Sequence, residues 1–156
     1  MQTSRRAFFR SVAGAGMVGS TAAFAQTAGG VRGFDHVALP MLNVDAMLAF
    51  YRGLGLQMNE TPSIVSVYVG EQMINSHRPT LWQNTGFTLR APAAAPPCGD
   101  LCFVWEGTAA ELTAALERAG ARVIEGPVNR SGGRRRTGSS VYVRDPDGNL
   151  LEFIIY

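Results

Sequence analysis

Ser66-Val67-Tyr68-Val69 and Ser140-Val141-Tyr142-Val143 are one tetrapeptide written twice, and the pattern around each copy repeats as well. A strand and a helix precede it, and a further strand follows. A chain that repeats a unit too small to bury its own apolar face must pair the two copies. The seam between them is where a site can form.

Around the first copy, residues 33–41 read as a strand ending at Pro40. Asn43 is the predicted N-cap of a helix, because Val44, Met47, Leu48, Tyr51 and Leu54 recur at helical spacing and Gly55 supplies the stop. Strands are predicted over 57–61, 64–69 and 72–77, with Gly70-Glu71 as the hairpin turn between the last two. Around the second copy, residues 100–105 read as a strand. Thr108 and Glu111 then form a capping box, each satisfying an orphan N–H of the helix start. Leu112, Ala115, Leu116 and Ala119 make the apolar stripe of that helix, and Gly120 closes it. Strands over 122–125, 139–144 and 150–156 follow, with Asp145-Pro146-Asp147-Gly148 as a tight turn. The chain thus divides into a first module (33–79), a linker (80–99) and a second module (100–156).

Two loops stand out. The linker contains Ala91-Pro92-Ala93-Ala94-Ala95-Pro96-Pro97, whose proline content makes it a semi-rigid strap. Residues 129–138 hold Arg130, Arg134, Arg135 and Arg136 among glycines. That segment is either a solvated hairpin tip or an anion-attracting lid over a site.

Residues 1–25 read as a leader. Arg5-Arg6 precedes an apolar run from Val12 to Phe24 that ends in Ala23-Phe24-Ala25. This is the order of a twin-arginine signal peptide, and it predicts a periplasmic chain beginning near Gln26. Losing Arg5, Arg6 and Arg10 cuts the 14 basic residues to 11, against 12 acidic ones, so no global field argues for nucleic acid. No second apolar segment follows, so no membrane association is expected once the leader is gone. The remaining 131 residues suit one core. Cys98 and Cys102 are the only cysteines. Positions four apart on an extended strand lie roughly 13 Å apart, so a disulfide would need the chain to fold back at Gly99. A C-x3-C spacing with no second pair is a weak zinc signal.

Four polar residues fall where the seam strands should lie: His36, His77, Asp100 and Glu152. Residues two apart on a strand share a face, so His36 lies with Phe34 and Ala38, Asp100 with Cys102, Glu152 with Leu150 and Ile154, and Asn75 with His77. A polar residue thus marks the first and the last strand of each module. Imidazole together with carboxylate suits Zn, Fe, Ni, Co or Mn. A carboxylate in a sheet is costly unless it is paired or bound to a cation. Taken singly, each of these residues could as well be hydrogen-bonded or solvated.

Asp35-His36-Val37-Ala38-Leu39, the helical Ala49-Phe50-Tyr51-Arg52-Gly53-Leu54-Gly55-Leu56, and the stretch from Tyr142 through Asp145-Pro146-Asp147-Gly148-Asn149 to Glu152 and Phe153 resemble the vicinal oxygen chelate superfamily. That group includes glyoxalase I, type I extradiol dioxygenases and the fosfomycin and bleomycin resistance proteins. The resemblance covers residues 33–156 and implies an α+β fold, two tandem βαβββ modules forming a half-barrel around a divalent metal. It implies His36 as the first-strand ligand and Glu152 as the last-strand ligand, with Glu152 also the carboxylate that could be displaced to act as a base. Asp100 stands where the second module often carries His. On the last strand of module 1, Asn75 or His77 falls where glyoxalase I carries Glu, and His77 is the better ligand chemically. The resemblance implies a metal-dependent lyase, isomerase or dioxygenase acting on a small molecule, and a homodimer. The alternative is a non-catalytic drug-binding protein of the bleomycin-resistance type.

Overall fold

The structure, a computed structural model, describes residues 29–156, of which Gly33–Tyr156 form one compact unit. The predicted leader lies outside the described residues. The unit is two consecutive βαβββ modules. Module 1 runs β1 (His36–Pro40), α1 (Val44–Gly53), β2 (Met58–Glu60), β3 (Ile64–Val69) and β4 (Gln72–His77). A short helix, α2 (Pro79–Trp82), opens the linker. Module 2 runs β5 (Asp100–Val104), α3 (Ala109–Arg118), β6 (Glu125–Ser131), β7 (Thr137–Arg144) and β8 (Leu150–Ile155). The sheets have the same order, β1-β4-β3-β2 and β5-β8-β7-β6, and in each the first strand pairs parallel to the last. This is the expected α+β fold.

Alternation along the strands separates two faces in each sheet. Val65, Val67 and Ile74 of one sheet and Val143, Leu151 and Phe153 of the other join Met47, Leu48, Phe50, Tyr51, Leu112 and Leu116 of the helices in one apolar core. The opposite faces carry the polar residues singled out above. Where α1 ends, a Cβ on Gly53 would stand 2.6 Å from the Ala119 Cα, so the two helices meet at a point only glycine permits.

The capping box forms as predicted: Glu111 N donates to Thr108 Oγ1 (3.2 Å), and Thr108 N donates to the Glu111 carboxylate (2.7 Å). Asn43 departs from prediction. It makes no side-chain cap, and its amide instead donates across the modules to Asp147 Oδ1 (2.9 Å) and the Pro146 carbonyl (3.3 Å).

The strand predicted over 122–125 is also displaced. Val123 and Ile124 are exposed and lie outside the ladder, and β6 begins only at Glu125. Gly126, at a φ of 119°, interrupts the alternation, with a register shift between Glu125 and Val128. Arg130 therefore sits on a strand, and the hairpin tip shrinks to residues 132–136. Both cysteines are free.

Candidate functional site between the modules

Strand register decides which residues of the two modules correspond. His36 opens β1 opposite Met73, and Asp100 opens β5 opposite Leu150. One step along, Ala38 faces Asn75 and Cys102 faces Glu152. Another step brings Pro40 against His77 and Val104 against Ile154. The module-1 counterpart of Glu152 is therefore Asn75, and His77 corresponds to Ile154. The repeated tetrapeptide is itself offset by two residues: Ser66 lies opposite Asn75, whereas Tyr142, not Ser140, lies opposite Glu152.

The last step of each ladder is covered. The linker brings Phe87 edge-on to His77, with ring centroids 5.4 Å apart, and His77 is buried beneath it. Ile154 is buried beside the 132–138 segment, where Gly132 and Gly138 come close to its side chain. What stays open on the two polar faces is the pair of earlier steps, which carry His36 with Asn75 and Asp100 with Glu152.

His36 is exposed, and its Nδ1 pairs with Asp35 Oδ1 at 2.6 Å. That contact occupies Nδ1 and leaves Nε2 without a hydrogen-bond partner among the described residues, the arrangement a ligating imidazole usually has. His36, Asp100 and Cys102 line one cleft of about 890 Å³ between β1 and β5, the two strands that edge their sheets. Phe34, Leu101, Phe103 and Trp105 make much of its wall apolar, and Arg134 reaches its rim, 3.8 Å from Glu106. Arg134 and Arg136 both lie over the Tyr156 ring, at 5.2 and 4.9 Å from its centroid.

Glu152 does not line that cleft wall but meets it through Cys102. It accepts a hydrogen bond from the buried Ser140 hydroxyl at 2.5 Å. Burial first, and the neighbouring Glu152 second, push the Cys102 thiol up to about 11, so at neutral pH it is a protonated donor to Glu152 and not a nucleophile. The Tyr142 hydroxyl accepts from Arg130 Nε at 3.1 Å, and Arg130 pairs in turn with Glu125 at 2.7 Å. Glu152 is thus the polar centre of the open face of module 2. Its partners Ser140 and Tyr142 were not singled out from the sequence. Their even spacing along β7 was the available signal, but it points at Glu152 only once the register is known.

The donor types suit a divalent ion: an imidazole held by a carboxylate, and on the second module the carboxylates of Asp100 and the half-buried Glu152. Among the described residues, however, no three His, Cys, Asp or Glu side chains of one chain converge on a point. His77, expected as a fourth donor, turns into a separate cavity with Trp82 and Arg90.

Comparison with known proteins agrees with this architecture. Residues 33–153 match the family model of the Glyoxalase/Bleomycin resistance protein/Dioxygenase superfamily. The chain is similar to "Glyoxalase domain-containing protein RDO1" of Mycosarcoma maydis, 34% identical over 127 residues that span 81% of this chain and 69% of that protein. It is also similar to "Virulence protein STM3117" of Salmonella typhimurium. The solved structure of that protein superposes with a TM-score of 0.70 at 30% identity, covering 81% of this chain and 98% of the other. The structure of a lactoylglutathione lyase from Agrobacterium tumefaciens superposes with a TM-score of 0.58 at 28% identity, covering 81% and 95%. With its paired βαβββ modules and their open polar faces, the chain belongs to the glyoxalase/bleomycin resistance/dioxygenase superfamily.

Proposed function

We propose that this protein is a divalent-metal-dependent enzyme of small-molecule chemistry, a lyase, isomerase or dioxygenase of the vicinal oxygen chelate type. The single observation that carries the reading is the placement of His36. Its imidazole stands on the open face of β1 with Nδ1 held by Asp35 and Nε2 left for a ligand. Asp100 opens the corresponding strand of module 2, and Glu152 stands one step further along its ladder.

His36, Asp100 and Glu152 would hold the ion, one of Zn, Fe, Ni, Co or Mn. One chain brings no three donors together, so the reading requires a homodimer in which a second copy completes the shell. A bound divalent ion supplies Lewis acidity toward neighbouring oxygens of a substrate.

The chain's own residues supply the proton chemistry. Ser140 fixes one oxygen of Glu152, and the carboxylate, once displaced from the ion, would take a proton from a carbon acid. Tyr142, steadied by Arg130, is placed to donate toward the same carboxylate or toward a substrate oxygen. The Arg5-Arg6 leader supports a periplasmic address for this activity.

One observation favours a second reading. The cleft beside His36 is large and its wall largely apolar, which suits retention of a planar ligand without chemistry. Metal content separates the two. Elemental analysis of mature protein purified without chelators, with mass measured in solution, is expected to give a dimer holding close to one ion per site. His36→Ala combined with Glu152→Ala is expected to lose the ion. A wild-type dimer that carries no metal and takes up none when it is added would remove the enzyme reading and leave the binding protein.

A further inference from the structure

The polar face of module 1 has a second feature that the metal reading leaves unused. Beneath the linker lies a cavity of about 40 Å³, walled by Ala38, Pro40, His77, Trp82, Arg90 and the alanines that follow Arg90. That volume holds a few atoms rather than a whole substrate. Two of its walls are cationic or hydrogen-bonding groups with no matching partner.

His77 is only 7% exposed, yet among the described residues its ring makes no hydrogen bond. It packs edge-on against Phe87. Burial also holds its imidazole below the usual value, so the ring is neutral near pH 7 and keeps one N–H to donate.

Arg90 repeats the situation. Its Nη1 donates to the carbonyls of Ala91 (3.3 Å) and Pro92 (2.9 Å), while its Nε is out of solvent with no partner. No carboxylate pairs with it among the described residues. Only the Nε is shut off, and the rest of the half-buried guanidinium stays open to an anion that enters the cavity. Arg78, at the start of the same linker, shares the partnerless Nε but differs in having an acid, Glu60 at 2.7 Å.

We propose that the cavity under the linker is an anion subsite, in which Arg90 and His77 take the carboxylate end of a small ligand. Ala38, Trp82 and Ala91 form the apolar collar around its first carbon. The guanidinium fork matches a carboxylate in shape as well as charge. Pro40 and His77 lie two ladder steps beyond His36 on the same face, so a ligand seated here and reaching His36 would span roughly 13 Å. The subsite deepens the enzyme reading by naming an acid as the substrate class, and it rests on that reading only for what lies at the ligand's other end.

Sodium acetate is the probe, titrated into the protein as purified at constant ionic strength, with the Trp82 indole N–H and the His77 ring followed by NMR. Both signals are expected to shift saturably with acetate and to stay still with acetamide, its neutral isostere. Arg90→Gln should weaken binding at least about tenfold, and Arg90→Lys by less, since it keeps the charge but loses the fork. No saturable shift in the wild type, an equal response to acetamide, or unchanged affinity in Arg90→Gln would each overturn the subsite. The wild-type pair of titrations stands even if the Arg90 variants do not fold. Metal content does not enter the readout, so acetate binding without metal would retain the subsite and remove the enzyme reading, and metal without acetate binding would do the reverse.

Discussion

The two hairpin turns that join the last strands of each module occupy the same place in the repeat and do opposite jobs. Gly70-Glu71 turns β3 into β4 with two residues, Gly70 taking the left-handed φ of 59° that such a turn asks for, and a Cβ there would meet nothing. Its counterpart, Asp145–Asn149, is a hydrogen-bond hub sunk in the protein. Asp147 accepts from Leu42 N (2.7 Å), Asn43 N (2.8 Å) and the Asn43 amide (2.9 Å), which ties module 2 to the start of α1. The Asn149 side-chain oxygen accepts from Cys98 N (3.0 Å) and Gly99 N (2.8 Å), which pins the end of the linker. Asp145 accepts from Tyr51 of α1 and twice from Asn149. The most recognisable stretch of the sequence is therefore a clasp between modules. It identifies the fold strongly and says nothing about the substrate.

Breaking the clasp should have the largest effect. Asp147→Ala removes a buried carboxylate that accepts from three part-buried donors at once, and the loss should be about 2 to 3 kcal/mol, read as a fall in denaturant midpoint. Gly70→Ala in the counterpart turn should cost only about 1 kcal/mol, the strain of a positive φ on a residue with a Cβ. Equal losses in the two variants would mean that the Asp145–Asn149 turn holds the modules together no more than the Gly70-Glu71 turn does.

A sharper variant is Asn43→Asp. If Asn43 were a helix cap, an aspartate there would serve as well or better beside the positive helix end. Here its amide faces the Asp147 carboxylate, so the substitution sets two carboxylates against each other and should cost about 1 to 3 kcal/mol at neutral pH. Recovery in the double variant Asn43→Asp with Asp147→Asn would localise the effect to that pair. Thr108 gives the control: it does cap its helix, and Thr108→Ala should cost about 1 kcal/mol.

These contrasts also show what was legible in the sequence. Signals that act within a few residues read through correctly: the Thr108–Glu111 box, the Asp145–Gly148 turn and the apolar stripe of α3. Asn43 misleads because its local chemistry is that of a cap while its partner lies more than a hundred residues away. The 122–125 strand misleads because Val123 and Ile124 are apolar yet exposed, and although Ile124 N donates to the Tyr142 carbonyl (2.9 Å), regular pairing begins only at Glu125. The site suffers most. Period-two alternation fixes which face a residue takes but not how far along the ladder it sits. The two turns differ in length and the matching tetrapeptides sit two residues apart in register, so the choice between Asn75 and His77 cannot be made without the ladder.

The smallest effect expected is a slope, and it asks which force wins inside the clasp. Asp145 is buried, and burial raises its carboxyl above the ordinary value, although Asn149 and Tyr51 donate to it and pull the other way. A carboxyl raised in the folded state keeps its proton over a range of pH where the unfolded chain has lost it. Its contribution to stability is then complete below the unfolded value, about 3.9, and is lost as pH climbs through the folded one. Asp145→Asn removes that proton equilibrium whatever it costs in hydrogen bonds. The stability of the wild type relative to Asp145→Asn should therefore decline as pH rises from about 4. A difference that grows with pH instead would mean that the donors of Asn149 and Tyr51 outweigh burial and that the clasp is held by an anion. In that case acid, rather than base, is what loosens the two modules.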